Sequence, residues 1–334
     1  MARQHSSSAG LVGSEYAARR RPSRLALDGG LLAAIGSAAA FGSSGPFAKS
    51  LMVTGWAAPT IVTLRIGIAA LVLLGPALWS VRGRWEVLRA ERAMILAYGL
   101  VSVAGCQVAY FNAVARMPVG VALLLEYLGI LLVVLWVWLR TRRRPHRTVA
   151  LGGALAVAGL VLVLDVAGAA AVDLMGVVWG LAAAVGLAVF FVLASRSHSD
   201  LPAVALAGFG MLVGTLALLV AQLVGALPAA WVSSDVTIRG MHLPWYAAIL
   251  ELALVAAAAA YLLGTIGARA LGSTVASFVG LTEVLFAVVL AWLLLGEFPG
   301  PVQLLGGVLI LAGVVAVRLG ELRGTGFREV RADG

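Results

Sequence analysis

The stretch VALLLEYLGILLVVLWVWLRTRRRPHRTVALGGALAVAGLVLV, residues Val121–Val163, decides the fold because a related copy of it occurs later in the chain. The copy, Val275–Val317, reads VASFVGLTEVLFAVVLAWLLLGEFPGPVQLLGGVLILAGVVAV and lies 154 residues further on. Aliphatic matches mean little in a chain this rich in Ala, Leu and Val, but the same register also aligns rarer residues. These are Trp138 with Trp292, Pro145 with Pro299, Gly152-Gly153 with Gly306-Gly307, and Ala158-Gly159 with Ala312-Gly313. The shared register indicates an internal duplication.

The composition indicates a protein that crosses a membrane many times. Of the 334 residues, 62% are hydrophobic and only 12% are charged, whereas roughly 25% of residues are charged in a soluble domain. A water-soluble chain of this length could not bury so much apolar surface, so lipid must cover part of it. The single cysteine, Cys106, lies inside an apolar run and excludes a disulfide within one chain.

Ten segments are apolar over the length of about 20 residues that a helix needs to cross the hydrocarbon core. They are residues 31–51, 59–79, 94–114, 119–139, 148–166, 174–195, 202–224, 245–265, 275–295 and 301–319. We therefore predict an all-α integral membrane protein with ten transmembrane helices, the first repeat at 30–166 and the second at 167–320. Residues 1–29, rich in Ser, Gly and Arg, are predicted to form a disordered basic cytoplasmic tail, and residues 321–334 a second cytoplasmic tail.

The basic residues sort to one side of this arrangement. With the N-terminus inside, 20 of the 24 Lys and Arg fall in tails and loops on the cytoplasmic side. Arg116 and Arg239 fall outside, and Lys49 and Arg65 lie within helices or at their edges. This asymmetry predicts a multi-pass protein of the cell (inner) membrane with both termini in the cytoplasm. It also explains the net charge of +9 without a nucleic-acid partner, which we do not expect.

The duplication and the charge pattern together predict that the two repeats are inverted. Each half has five spans, an odd number, so the copies must cross the membrane in opposite senses. The linker Arg140–Arg147 is strongly basic, whereas its counterpart Leu294–Pro301 has no basic residue and contains Glu297. The first is predicted to lie inside and the second outside. Inverted repeats of this kind are typical of secondary transporters, whose site lies at the repeat interface near mid-membrane.

The fourth and fifth spans of each half share a longer pattern. It runs from Ala122 to Trp138 and from Leu151 to Gly159, and again from Ala276 to Trp292 and from Leu305 to Gly313. With two five-helix halves and a basic N-terminus, the chain resembles the EamA family of the drug/metabolite transporter superfamily from about Leu31 to Leu319. The resemblance implies a ten-helix bundle around a central cavity. It also implies transport, often export, of amino acids, related metabolites or drugs, as in threonine/homoserine-type exporters.

Three ionisable residues are predicted at similar depth below the outer surface: Arg65, Glu126 and Glu251. An ionisable group at mid-helix costs at least ~2.5–3.5 kcal/mol on insertion scales, so each requires a reason. One interpretation is a buried Arg–Glu pair that fixes helix packing. The alternative is a zwitterion site, with Arg65 binding a carboxylate and Glu126 an ammonium group.

Glu283 is predicted close to the middle of the ninth span. In the repeat register Glu126 aligns with Gly280, so the two acids differ by three residues, which is nearly one helical turn and therefore the same face. A low-dielectric environment favours the neutral form of a carboxyl group, which suits uptake and release of a proton. We therefore expect Glu283 or Glu126 to couple substrate movement to a proton. The alternative is a carboxyl held neutral by a neighbouring helix.

The first span contains the sequence Phe41-Gly-Ser-Ser-Gly-Pro46-Phe47. Pro46 cannot donate a hydrogen bond to the Gly42 carbonyl, so a kink is expected there. Broken helices at membrane depth line cavities, so Ser43 and Ser44 are candidates for substrate contact; the alternative is a packing kink. Tyr127 is a further candidate for the transport path, although a Tyr inside a helix more often serves packing.

No cofactor or metal site is predicted. No two histidines have metal-ligand spacing, and the chain has neither a G-x-x-x-x-G-K-[ST] loop nor an H-E-x-x-H motif. The predicted partners are a small-molecule substrate and the lipid bilayer, and the chain is expected to act as a monomer or homodimer and not as an enzyme. Two alternatives are a membrane-embedded enzyme, which needs a His, Asp or Ser cluster at one membrane face, and a structural protein, which needs no buried carboxylates.

Overall fold

A computed structural model of the chain describes residues 24–132, 139, 147–163, 173–194, 201–264, 266–267, 270 and 279–332. Most of the predicted N-terminal tail, the basic linker up to His146, and residues 275–278 at the start of the ninth span lie outside the described residues.

The first half of the chain forms a series of helices joined by short connections. Helices α1 and α2 span Arg24–Val53 and Ala58–Ser80, and a single short helix, Trp85–Ala90, follows. Helix α3, Arg92–Val114, is α-helical over Arg92–Ala97 and Cys106–Val114, with a π-helix over Tyr98–Gly105 between them. Helix α4 begins as Val119–Tyr127 and continues at 129–132 after a turn at Leu128, and α5 spans Arg147–Val163.

The second half follows a similar course. Helices α6 and α7 span Leu174–Ala194 and Ala203–Leu223. Helix α8, Trp245–Gly264, starts as an α-helix over Trp245–Leu250 and changes to a π-helix over Glu251–Ala259. Helices α9 and α10 span Thr282–Leu295 and Pro301–Ala332.

A two-stranded hairpin between α7 and α8 departs from the predicted all-α fold. Strand β1, Val236–Ile238, pairs antiparallel with β2, Met241–Leu243. The two residues between the strands, Arg239 and Gly240, have φ values of 47° and 79°. Two successive left-handed residues make the tight turn that matches the twist of paired strands. The sequence did not predict this turn, because Arg239 stands where Asn, Asp or Gly usually indicates one.

Five of the described helices are long and apolar enough to cross a membrane by length and composition, namely α1, α2, α3, α7 and α8. Shorter apolar helical stretches lie at Val119–Leu132, Leu174–Phe190, Thr282–Leu295 and Leu304–Gly313. Large apolar side chains such as Leu71, Leu223 and Val308 are exposed, as expected for surfaces that face lipid. The described bundle is therefore that of a multi-pass membrane protein.

Two helix ends differ from the predicted ones. Helix α1 begins at Arg24, inside the stretch 1–29 that was predicted to be a disordered tail. Residues Leu25–Leu27 are good helix formers, and the last helix-breaking residue before them is Pro22. Helix α10 continues to Ala332, through most of the predicted C-terminal tail. Helical structure thus extends past the apolar segments, because apolar length limits the span and not the helix.

The two halves share the same irregularities at the same places. The π-helices of α3 and α8 begin at Tyr98 and Glu251, and α4 and α9 are interrupted at Leu128 and Leu281. Each of these pairs is 153 residues apart, within one residue of the repeat register. A π-helix inserts a residue into the helix and commonly marks a functional position. The duplication is therefore visible in the helix irregularities as well as in the residues.

Helices α5 and α10 pack against each other through the glycines of the duplicated motif. A Cβ atom at Gly159 would lie 2.5 Å from the Gly306 carbonyl oxygen, and one at Gly313 would lie 2.5 Å from the Gly152 carbonyl oxygen. Residue numbers therefore rise along α5 as they fall along α10, so the two helices are antiparallel. Glycine permits this close approach of backbones.

We expect Gly159→Ala to destabilise the folded protein by about 1–3 kcal/mol, because the added methyl group would overlap the α10 backbone. Gly153→Ala is the matched control, since a Cβ atom at Gly153 meets nothing within 4 Å. Thermal unfolding in detergent measures both variants. Equal melting temperatures for the two would contradict the proposed packing.

The candidate site lies where α1, α2, α3, α4, α8 and α9 approach one another. Helix α9 packs against α1 and α4, and α8 packs against α1 and α2. Gly176 and Gly180 of α6 face Met117 and Leu125, while Gly210 and Gly214 of α7 face Tyr98 and Gly99. These glycine motifs therefore allow helices of the second repeat to pack closely against helices of the first repeat within one chain.

Candidate functional site

Tyr127, which follows Glu126 in the sequence, contacts the second central carboxylic acid, Glu283. The Tyr127 hydroxyl lies 3.0 Å from Glu283 Oε2 and 2.9 Å from the Gly280 carbonyl oxygen. Its single proton can be donated to one of these acceptors at a time. Glu126 and Glu283 also interact electrostatically. The structure thus brings together the two acids that the repeat register placed on one helix face, one from each half of the chain.

Interruptions of α4 and α9 lie beside Glu126 and Glu283. At Leu128 the backbone N–H turns back to the Leu125 carbonyl, 3.2 Å away, which ends the regular first part of α4 just after Glu126 and Tyr127. In α9 the Thr282 hydroxyl donates to the Val279 carbonyl at 2.6 Å, just before Glu283. Both acids therefore lie at the ends of regular helix segments, at membrane depth, where irregular backbone is tolerated only inside a protein.

Glu126 has a partner in Cys106 that the sequence did not indicate. The Cys106 Sγ lies 3.3 Å from Glu126 Oε1 and 3.4 Å from the Ala183 carbonyl oxygen, so the thiol can donate to either. All three groups are buried in the interface of α3, α4 and α6. A lone cysteine in an apolar run is ordinary packing in most proteins, and nothing in its spacing pointed to a carboxyl group.

Arg65 is fully interior, with 1% of its surface exposed, and its main partners are neutral. Nη1 donates to Gln107 Oε1 at 2.5 Å and Nη2 to the Ala256 carbonyl oxygen at 2.6 Å, while the guanidinium carbon lies 5.3 Å from the centre of the Phe111 ring. Arg65 has no carboxylate within 4.0 Å in the described part of the chain. Arg65 thus has no direct salt bridge among these residues, and its role as the cationic half of a buried Arg–Glu pair stays a prediction.

The π-helix of α8 explains one of these contacts. Widening the helix changes its hydrogen-bond pattern, and the carbonyl of Ala256, inside the π-helix, accepts from Arg65. Ser37 of α1 donates to the next helical turn at the Ala260 carbonyl, 2.8 Å away. Helix α8 thus offers one carbonyl of its π-helix to a cation and another, just after the π-helix, to a hydroxyl.

Glu251 and Ser43 are in direct contact. The Ser43 hydroxyl lies 2.5 Å from Glu251 Oε1 and 2.7 Å from the Ala40 carbonyl oxygen. Glu251 Oε2 is buried and has no hydrogen-bond partner, and the same is true of the Ser44 hydroxyl. Pro46 lies within the continuous helix α1, two residues after Ser44. Of the two predicted contact residues of α1, Ser43 is hydrogen-bonded to Glu251, and Ser44 has a hydroxyl without a partner.

Arg65 carries a second unpaired polar atom in the same interior as Glu251 Oε2. Arg65 Nε is buried without a hydrogen-bond partner, and Arg65 interacts electrostatically with Glu251 and Glu283. Leaving a buried polar group without a partner costs about 1–3 kcal/mol, more for a charged one. The site therefore presents one free cationic N–H and one free carboxyl oxygen that do not pair with each other.

Gln107 is a further site residue that sequence reasoning missed. It accepts from Arg65 and is hydrogen-bonded to the Tyr261 side chain, which ties α2, α3 and α8 together. An amide in the middle of an apolar helix is a recognisable signal, because its polar atoms need partners there. Within the described residues there is no group of three or more His, Cys, Asp or Glu side chains that could hold a metal ion.

Comparisons with known proteins agree with this architecture. The model of the EamA-like transporter family matches residues 28–165 and again residues 174–319. A protein crystal structure with 22% sequence identity aligns with a TM-score of 0.59 over 87% of this chain and 96% of its own, which indicates a common fold. No curated protein matches significantly. Since the two family matches together take up most of its length, this chain belongs to the EamA-like transporter family.

Proposed function

We propose that this protein is a secondary active transporter of the cell membrane that exports small metabolites such as amino acids by alternating access. The observation that supports this best is the interior cluster of Arg65 with three carboxylic acids, drawn from both repeats. Buried ionisable groups are expensive in a membrane and are retained on substrate and ion paths. A site between two repeats can be opened to each side by rocking one half against the other.

The proposed topology has ten spans, two inverted repeats around a central cavity, and both termini in the cytoplasm. The antiparallel packing of α5 and α10 supports the inversion, because equivalent helices of inverted repeats must run in opposite directions. The 20 basic residues assigned to the cytoplasmic side support the orientation. One chain supplies both halves of the site, and the proposed transport unit is a monomer or homodimer in the lipid bilayer.

The substrate we propose is a zwitterion. Arg65 Nε is the free donor for its carboxylate, and Glu251 Oε2 is the free acceptor for its ammonium group. The sequence alone favoured Glu126 as the ammonium partner, but Glu126 is already engaged with Cys106. Ser43 orients Glu251 through its hydrogen bond, and Ser44 offers an additional hydroxyl.

The proton site we propose consists of Glu126, Tyr127 and Glu283. Two nearby carboxyl groups cannot both ionise cheaply in a low dielectric, so one of them holds a proton. The Tyr127 hydroxyl can give its hydrogen bond to Glu283 or to Gly280, and thus can follow the charge on Glu283. The hydrogen bond between Tyr127 and Glu283 joins α4 to α9. Protonation of Glu283 therefore affects how the two repeats pack against each other.

Flux in proteoliposomes tests the proposed function. We expect the purified protein to move labelled amino acids in a saturable manner, faster with a pH gradient than without one, whereas empty liposomes do not. Comparison of the extracellular metabolites of cells with and without the protein then identifies the exported compound. A chain that moves no amino acid, amine or related metabolite under a pH gradient in either direction would be inconsistent with the proposal.

A further inference from the structure

An ion pair joins the two repeats at the end of the bundle that we assign to the outer side. Lys49, near the end of α1, contacts the Glu297 carboxylate in the connection between α9 and α10. Their side chains are 20% and 24% exposed, so the pair is only partly open to solvent. Ion pairs in partly desolvated positions are screened less than surface pairs.

The same two side chains also hold the connection between α3 and α4. Lys49 Nζ donates to the Met117 carbonyl oxygen at 3.1 Å, and the Val119 backbone N–H donates to Glu297 Oε2 at 3.2 Å. Val119 is the first residue of α4, so Glu297 accepts from a free N–H of that helix terminus. Four groups thus lock the ends of α1, α4 and α9 into one contact.

A glycine turn aims Glu297 toward this contact. Gly296 ends α9 with φ 76°, a left-handed conformation that glycine adopts without steric cost. The Gly296 and Glu297 N–H groups return to the carbonyls of Trp292 and Ala291, at 3.1 and 3.3 Å. This is the helix ending in which the chain reverses sharply, and it brings the following carboxylate back over the bundle.

Tightly packed glycines lie on the same three helices, next to the ion pair. A Cβ atom at Gly42 would lie 2.8 Å from Phe286 Cβ, and one at Gly120 would lie 2.8 Å from Val288 Cγ2. Gly45 packs against Val119 and the Tyr110 hydroxyl. Helices α1, α4 and α9 are therefore closely packed between the ion pair and the carboxyl cluster. At 1.5 Å per residue along α4, Glu126 lies about 10 Å from Val119.

The repeat register indicates that the pair exists on one side only. Glu297 corresponds to Arg143 in the first half, a basic residue in place of an acidic one. An equivalent lysine–glutamate pair therefore cannot form at the other end of the bundle in the same way. A one-sided interaction between repeats favours one of two alternating states over the other.

We infer that Lys49 and Glu297 form an ionic latch that keeps the outer end of the transport path closed and must separate when the transporter opens outward. The inference rests on the proposed alternating-access function and names the contact that controls its outer gate. In the closed state the latch joins α1 and α4 of the first repeat to α9 of the second. Its loss shifts the population toward the outward-open state without touching the substrate or proton residues.

Cys106 provides a native reporter for this gate, since it is the single cysteine of the chain and lies beside Glu126 in the interior. A membrane-impermeant maleimide applied from outside should label the unchanged protein slowly. We expect Lys49→Gln and Glu297→Gln each to raise the labelling rate by about 5-fold, in line with the modest strength of a partly exposed pair. Asp235→Asn, an exposed change in the outer loop, serves as the control and should leave the rate unchanged.

The double variant, Lys49→Gln with Glu297→Gln, decides whether the two residues act as a pair. A double variant that labels no faster than either single variant supports the latch, because removal of one partner already removes the ion pair. Folded single variants that label at the unchanged rate, or a double variant whose rate increase is the product of the two single increases, would overturn it. Labelling needs no transport, so a latch without measurable flux would instead count against the proposed function.

Discussion

Replacement of Glu283 by glutamine is expected to reduce pH-gradient-driven transport by roughly 100-fold or more, to the background of empty liposomes, while the protein still folds. Glutamine has nearly the same size, and its Oε1 can still accept the Tyr127 hydrogen bond that spans 3.0 Å in the unchanged protein. It cannot ionise, however. The variant is therefore fixed in a state that resembles protonated Glu283, and coupling to a proton is lost.

Exchange between labelled and unlabelled substrate separates coupling from binding. Exchange needs the site to face each side in turn but needs no net proton movement, so we expect Glu283→Gln to retain it. The matched control is Glu86→Gln, which removes an exposed acid from the short helix Trp85–Ala90. If Glu283→Gln accumulated substrate against a pH gradient as well as the unchanged protein does, Glu283 would not be the coupling residue.

The repeat register, more than any single residue, led to the prediction of the central acids. Shifting by 154 residues placed Glu126 and Glu283 one turn apart on equivalent helices, and in the structure Tyr127 bridges the two halves at this level. The register points to these residues because a duplicated helix keeps its buried face in both copies, and three residues change that face little; their role in transport stays a prediction. Glycine matches such as Gly159 with Gly313 likewise located the α5–α10 contact.

Contacts between distant parts of the chain could not be predicted in this way. Lys49 and Glu297 lie in different repeats, and their meeting depends on how the repeats pack and on the turn at Gly296. The Cys106 contact with Glu126 depends on the rotation of α3, which the π-helix at Tyr98–Gly105 changes by inserting a residue. Hydrophobic periodicity in a helix that is apolar on all sides gives no such rotation.

The hydrogen-bond partners of Arg65 could not be predicted from its charge alone. Its depth suggested an acid as partner, yet its Nη atoms donate to an amide and a backbone carbonyl. A guanidinium group has five N–H donors, so neutral acceptors can hold it while leaving a donor for a ligand. The carbonyl of Ala256 belongs to the π-helix of α8, a feature that residue types did not indicate.

Glu251→Gln should weaken the binding of zwitterionic substrates by about 100-fold, since truncating one partner of a buried charged contact costs about 2–5 kcal/mol. The amide Oε1 can still accept from the Ser43 hydroxyl, which is 2.5 Å away in the unchanged protein. The substitution therefore removes the charge that faces the ammonium group and keeps the local packing. Glu126→Gln is the matched comparison, because Glu126 is engaged with Cys106, and it should alter proton coupling more than affinity.

Substrate pairs sharpen this comparison. An N-acetyl amino acid has the carboxylate but no ammonium group, so the unchanged protein should bind the free amino acid far more tightly, and Glu251→Gln should reduce that preference. Both can be measured by competition against a labelled substrate in proteoliposomes. If Glu126→Gln lost the preference and Glu251→Gln kept it, the ammonium group would belong to Glu126. We expect instead that Glu251→Gln loses the preference, because Glu251 Oε2 is buried and no group in the described part of the structure donates a hydrogen bond to it.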